Sequence, residues 1–227
     1  LLEGFGPLKD EVLVVGGHID HLGLGDKWGS RAAANEKGKL LHPGADDNAT
    51  GTAAVIMLAE QLAADYAEMG STPRRSILFM GFDAEEAGLH GARAYVSKPI
   101  VPMEKHAFMI NFDMLGRRED SRIQVGGVAT ATGLEAFLQP AFDASGLNIE
   151  AIARMGGSDH MMFAANGVPN LFGHTGVHPD YHTPRDTTDK INYVGAAQSY
   201  RLFLDISRRI VTRTEPFQFV NRSSGRR

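Results

Sequence analysis

Five short apolar runs punctuate the chain, at residues 11–17, 76–81, 107–112, 123–126 and 168–172. Runs of this length that stop at glycine, proline or acidic residues predict buried strands. Between them the apolar positions take a different period. Ala54, Val55, Leu58, Ala59, Leu62 and Tyr66 fall on one face of a helix predicted over 51–68, which Asn48 or Thr50 can cap. Further helices are predicted over 91–98, 133–144, 159–166 and 193–213, with an edge strand at 148–152. Pro99 and Pro102 close the second helix. Strands alternating with helices predict an α/β fold, a three-layer α/β/α sandwich with a mixed, mostly parallel central sheet. Residues 21–50, which include Trp28, break the pattern: they are polar, rich in glycine and without periodicity. A connection that long inside a compact domain is usually functional or mobile.

Composition narrows the classes. The 227 residues, 43% of them apolar, suffice for one well-buried core. Residues 1–214 therefore read as a single domain, and 215–227 as a polar C-terminal tail. A net charge of −4 with scattered Arg-Arg pairs argues against nucleic acid or an anionic membrane as partner. No apolar run approaches the length of a membrane span. The absence of cysteine removes disulfides, thiolate ligands and a cysteine nucleophile. The chain opens at Leu1 without a signal-like segment, which fits a processed form or an excised domain. Oligomeric state is not encoded in any of these features.

The chemistry lies in five side chains at predicted loops and strand ends: His18, Asp47, Glu86, Asp113 and His182. Taken singly, each has an ordinary explanation. His18 and His182 suit loops, Asp46-Asp47-Asn48 suits a turn and helix cap, and Glu85-Glu86 suits a solvated acidic turn. Asp113 is harder to dismiss, because it ends an apolar run where an unpaired carboxylate is costly. His18, Glu85-Glu86 and Asp113 each follow a predicted strand. In open α/β sheets, sites gather beyond the carboxyl ends of the strands. Two imidazoles and three carboxylates can hold a pair of divalent ions if one carboxylate bridges them. Zinc suits such donors, with cobalt or manganese as substitutes. Glu85 is then left over as a general base, and Asp20 can accept the second ring N–H of a histidine ligand.

The ordered motifs are Gly16-Gly-His18-Ile-Asp20-His21, Gly44-Ala-Asp-Asp47-Asn-Ala-Thr-Gly51, Phe82-Asp-Ala-Glu85-Glu86, Asn111-Phe-Asp113-Met, Gly157-Ser-Asp-His160 and Tyr181-His182-Thr-Pro-Arg-Asp186. Together they resemble the co-catalytic zinc aminopeptidase family, of the aminopeptidase Y and aminopeptidase S type, from about residue 10 to residue 212. The resemblance implies a zinc-exopeptidase fold, two Zn2+ ions and a peptide substrate cleaved at its N-terminal residue. It implies Asp47 as the bridging carboxylate, His18 and Asp113 completing one metal site, and Glu86 and His182 completing the other. Glu85 becomes the base and Tyr181 a donor to the oxyanion. The peptide between Asp47 and Asn48 is expected to be cis. Ser158 and Asp159 match a segment lining the site, although Ser158 also suits a helix N-cap. His174 departs from the family pattern; it is a candidate for the substrate pocket, with a solvated loop histidine as the plainer expectation. An extracellular or periplasmic location follows from the resemblance alone.

Other activities remain open at this level. A carboxypeptidase or dipeptidase needs a cation for the substrate carboxylate, and Arg117, Arg154 and Arg185 are available. A glutaminyl cyclase uses one zinc, and a non-catalytic receptor-like module normally lacks ligands. Met155, Met161, Met162, Phe163 and Phe172 suit either an apolar pocket or the core.

Overall fold

A computed structural model describes residues 1–27, 29–118 and 120–221. Trp28 of the long polar segment and tail residues 222–227 lie outside the described residues. Six strands form one sheet: β1 (Val12–His18), β2 (Ser76–Phe82), β3 (His106–Phe112), β4 (Arg122–Gly126), β5 (Asn148–Ile152) and β6 (Asn170–His174), in the order β2-β1-β3-β6-β4-β5. The first four in that order are mutually parallel, while β4 runs antiparallel to β6 and parallel to β5. The sheet is mixed and mostly parallel, as the alternating pattern predicts.

Among the described residues, five α-helices cover it: α1 (Gly51–Glu68), α2 (His90–Ser97), α3 (Leu134–Ser145), α4 (His160–Ala165) and α5 (Tyr193–Thr212). Successive strand residues point to opposite faces. Leu13 and Val15 of β1 therefore join Ile77, Phe108 and Ile110 under Leu58, Leu62, Phe203 and Ile206 of α1 and α5. Val12 and Val14 join Leu78 and Met109 under Ala92 of α2 and Phe163 of α4. Both faces are buried, which is why the strands read as unbroken apolar runs rather than alternating ones.

Two local expectations change, and the choice of cap for α1 is resolved. β6 begins two positions later than the apolar run, because the Val168 N–H is taken by Phe163 O at the end of α4. Pairing with β3 and β4 then carries the strand through Gly173 and His174. Residues 215–221 are not a free polar tail. Phe217 packs 4.9 Å from Phe108 and 5.1 Å from Phe137 between ring centroids, and Phe219 bridges to Ala131. Two aromatic anchors outweigh the polar average of that stretch. At the start of α1, Asn48 Oδ1 accepts the Gly51 N–H at 3.0 Å, while the Thr50 hydroxyl turns back to Asp46. No helix among the described residues is long and apolar enough to cross a membrane.

Candidate metal centre

Parallel pairing decides where the candidate donors meet. His18 is opposite Phe82, and Gly16 is opposite Asn111, so the carboxyl ends of β1, β2 and β3 share one edge. His18 ends β1, the Glu85-Glu86 turn follows β2, and Asp113 follows β3. Asp47 is delivered by the irregular turn Ala45–Thr50, whose Asp47–Asn48 peptide is cis, as the resemblance leads one to expect. That turn is fastened to the exit of β3: Asn48 Nδ2 donates to Phe112 O at 2.9 Å, and Gly116 N donates to Asp46 Oδ1 at 2.6 Å. Gly44 has φ 63°, and a Cβ there would meet Asp47 O at 2.4 Å, so only glycine fits.

Asp47 stands between two groups. Its Oδ1 is 3.2 Å from His18 Nε2, which is 3.5 Å from Asp113 Oδ2. Its Oδ2 is 3.1 Å from His182 Nε2, which is also 3.1 Å from Glu86 Oε2. One carboxylate thus faces two imidazole–carboxylate pairs with separate oxygens. The remaining ring nitrogens are committed: His18 Nδ1 is 3.0 Å from the Asp20 carbonyl and His182 Nδ1 is 2.8 Å from the Gly29 carbonyl. A carbonyl only accepts, so each Nδ1 carries a proton and each Nε2 is left facing the carboxylates, where it holds a second proton or gives its lone pair to a cation. Both Nε2 atoms and Glu86 Oε1 are buried without a hydrogen-bond partner. Buried polar atoms are rarely orphaned, and two divalent cations fit this donor set.

Electrostatics agree. Burial alone lowers His18, but the surrounding carboxylates of Asp113, Asp20 and Asp47 raise it far above the ordinary imidazole range. His182 is likewise pushed up to about 10: burial opposes the shift, and Asp47 and Glu86 overcome it. Asp47 is held well below the carboxylate range, because His18 and His182 outweigh the effect of its burial. The cluster favours positive charge at its centre. Glu85 behaves oppositely. Burial pushes it up to about 8, offset by His18 and reinforced by Asp113, Asp159 and Glu86. Glu85 lines a cleft of about 290 Å³ with Asp47, Glu86, Asp113, Leu89, Met161 and Tyr181.

The other sequence-predicted residues fall into place unevenly. Asp20 is 3.6 Å from His18 Nδ1 by its carboxylate, while its carbonyl takes that N–H. The carboxylate accepts instead from Glu85 N at 2.9 Å and Glu86 N at 3.2 Å. Tyr181 faces the cleft, its ring stacked 3.7 Å from the His182 ring, and burial raises its hydroxyl pKa. Ser158 does not cap α4; its hydroxyl accepts from Asn111 Nδ2 at 2.8 Å. Asp159 is fully buried, neither carboxylate oxygen has a hydrogen-bond partner, and burial pushes it up to about 7. His174 is neither solvated nor part of the cleft wall. It ends β6 buried, with Nδ1 2.8 Å from the Asp113 carbonyl, because pairing with β4 extends that strand. Of the five candidate pocket residues, Met161 lines the cleft, whereas Met162 and Phe163 pack in the core. Phe172 is buried in a stack between His160 and His174, and Met155 packs on Gly126.

None of the three arginines considered for a substrate carboxylate is unengaged. Arg117 pairs with Asp180 at 2.8 Å, Arg185 with Glu36 at 3.1 Å, and Arg154 donates to the Val220 carbonyl.

Two further contributors stand in the sequence motifs, where neither is assigned a role. His21 Nδ1 lies 2.7 Å from Glu86 Oε1 but 3.9 Å from Asp47 Oδ2, a second imidazole beside the Asp47–Glu86 pair. Its proximity to His18 in sequence was the available signal. Asp186 accepts the Asp46 and Asp47 N–H groups at 2.9 and 3.1 Å across 140 and 139 positions of chain. Nothing in the sequence measures that contact.

Residues 2–207 match the model of Peptidase family M28, and the chain belongs to that family. A probable leucine aminopeptidase of Arthroderma otae is 27% identical over 190 residues, covering 81% of this chain and 50% of the relative. The chain spans about half the length of the curated relatives it matches. Among solved structures, a zinc aminopeptidase from Bacillus subtilis superposes with a TM-score of 0.70 at 23% identity, over 92% of this chain and 48% of that one. A Zn-dependent exopeptidase from Parabacteroides distasonis gives 0.72 at 18% identity, over 90% and 75%. These likenesses establish the shared fold.

Proposed function

We propose that the chain is a di-zinc aminopeptidase, hydrolysing the N-terminal residue from peptides. The observation that carries this is the single carboxylate of Asp47 shared between two imidazole–carboxylate pairs, with Glu85 in the same cleft. His18, Asp47 and Asp113 would hold one ion, and Asp47, Glu86 and His182 the other. The aminopeptidases among the relatives and the zinc named for the Bacillus subtilis structure support the choice; cobalt or manganese would be substitutes. When bound, such a pair would polarise a carbonyl and lower the pKa of a bound water towards neutrality.

The chain's own residues do the rest. Glu85 takes the proton of the attacking water and returns it to the leaving amine, a role suited to a carboxylate that lines the cleft beside Asp47, Glu86 and Asp113. Asp20 is a positioning residue, since it holds the main chain of Glu85 and Glu86. Tyr181 remains protonated and donates to the developing oxyanion. An extracellular or periplasmic setting belongs to the same proposal and rests on the family resemblance.

The test is hydrolysis of aminoacyl-p-nitroanilides, free and N-acetylated, with metal content measured on the same sample. Cleavage of the free-amine substrates alone, abolished by chelation and restored by zinc, is expected. Equal cleavage of the N-acetylated forms would overturn the reading.

A further inference from the structure

The cleft is acidic at its base: Asp47, Glu85, Glu86 and Asp113 all line it. One cation stands beside its wall. The Arg31 guanidinium lies 4.7 Å from the centroid of the Tyr181 ring, and that ring is stacked 3.7 Å from His182. Those separations put the guanidinium carbon no more than about 8.4 Å from the His182 ring. The backbone fixes it there, because Arg31 N donates to His182 O at 2.9 Å and His182 Nδ1 donates to Gly29 O at 2.8 Å. Segment 29–31 is therefore clamped to the segment that supplies two candidate site residues.

Arg31 is exposed, and among the described residues no carboxylate pairs with it. Its neighbours differ. Arg185 and Arg117 are held by Glu36 and by Asp180. Arg31 lies over the ring of Tyr181, a residue that lines the cleft, and is itself exposed to solvent. A planar guanidinium presents paired donors that match a carboxylate.

We propose that Arg31 forms a carboxylate subsite, so that the preferred substrates are short peptides with a free C-terminal carboxylate one or two residues past the scissile bond. This rests on the aminopeptidase reading above. An extended chain advances about 3.3–3.6 Å per residue. A dipeptide therefore spans about 7 Å from amine to carboxylate, which fits within the separation of at most about 8.4 Å between the His182 ring and the Arg31 guanidinium. With the cleft carboxylates holding the metals, the charge complementarity lies at the far end, anionic carboxylate to the arginine. Longer peptides and C-terminal amides do not satisfy that cation.

The experiment compares kcat/KM for Leu-Gly and Leu-Gly-Gly with their C-terminal amides, alongside leucine p-nitroanilide, in the zinc-loaded chain. The free acids are expected to be favoured about five- to tenfold, the scale of one partly exposed charge-assisted contact. That ratio should fall with added salt. It should drop to about 1 in Arg31→Gln, survive in part in Arg31→Lys and invert in Arg31→Glu. Because the readout is a ratio, a loss common to all substrates through Tyr181 does not disturb it. Calorimetric binding of Leu-Gly and its amide to the zinc-loaded Glu85→Gln variant gives a second readout without turnover, and the same ratio is expected in Kd. A wild-type ratio near 1, or one that Arg31→Gln leaves unchanged, overturns the subsite while p-nitroanilide cleavage preserves the aminopeptidase reading. Absence of cleavage of every substrate overturns both.

Discussion

Replacing Asp20 by Asn isolates how the base and its neighbouring donor are held in place. The Asp20 carboxylate accepts two main-chain N–H groups, Glu85 at 2.9 Å through Oδ1 and Glu86 at 3.2 Å through Oδ2. Asn keeps one acceptor oxygen and places an NH2 group against the other N–H. One charge-assisted bond is lost and one amide is left facing a donor, which costs about 1.5–3 kcal/mol. If half or more of that cost falls on the catalytic geometry rather than on global stability, kcat/KM declines about 4- to 150-fold. The assay is steady-state hydrolysis of leucine p-nitroanilide together with competitive chelator titration of bound zinc. Asp20→Asn should lower kcat more than it raises KM and should weaken the site nearest Glu86, with thermal unfolding shifted by only a few degrees. A variant within twofold of the parent in both kcat and zinc affinity would refute the positioning role.

Glu85→Gln should lower kcat by about 10²–10⁴-fold while two equivalents of zinc remain bound; near-native turnover would remove Glu85 as the base. Asp159 provides a pH test in the chelated protein. Its folded pKa is pushed up from 3.8 to about 7 by burial, so the unfolded chain loses this proton first and stability falls as pH rises from about 4 to 7. Asp159→Asn should therefore stabilise the chelated chain by up to ~4 kcal/mol at pH 8 and by almost nothing at pH 4. A difference independent of pH in chemical denaturation would contradict that account. Phe217→Ala should cost about 1–3 kcal/mol, because its ring packs on Phe108 and Phe137; an unchanged denaturation midpoint would mean the 215–221 segment contributes nothing.

Periodicity was enough for the layers of this fold. The runs that become β1, β2 and β3 are buried on both faces, so Val12 to Val15 read as continuous apolar sequence, and Ala54, Val55, Leu58, Leu62 and Tyr66 recur at helical spacing on the buried face of α1. His18 and Asp113 were legible because a polar residue closing such a run has few structural uses. What could not be read is anything set by register or by distant pairing. The antiparallel β4 carries His174 into the buried sheet, away from solvent. Phe217 docks a segment whose composition is polar. Asp186 reaches the Asp46 and Asp47 amides from the far end of the chain. Arg31 comes to the rim because Tyr181 and His182 receive its loop, whereas Arg117, Arg154 and Arg185, equally visible as letters, are consumed by partners elsewhere. Local period and residue chemistry are properties of neighbours along the chain, and the sequence by itself determined those. The freedom of a charge and the identity of its partner are properties of neighbours in space, which only the closed tertiary structure decided.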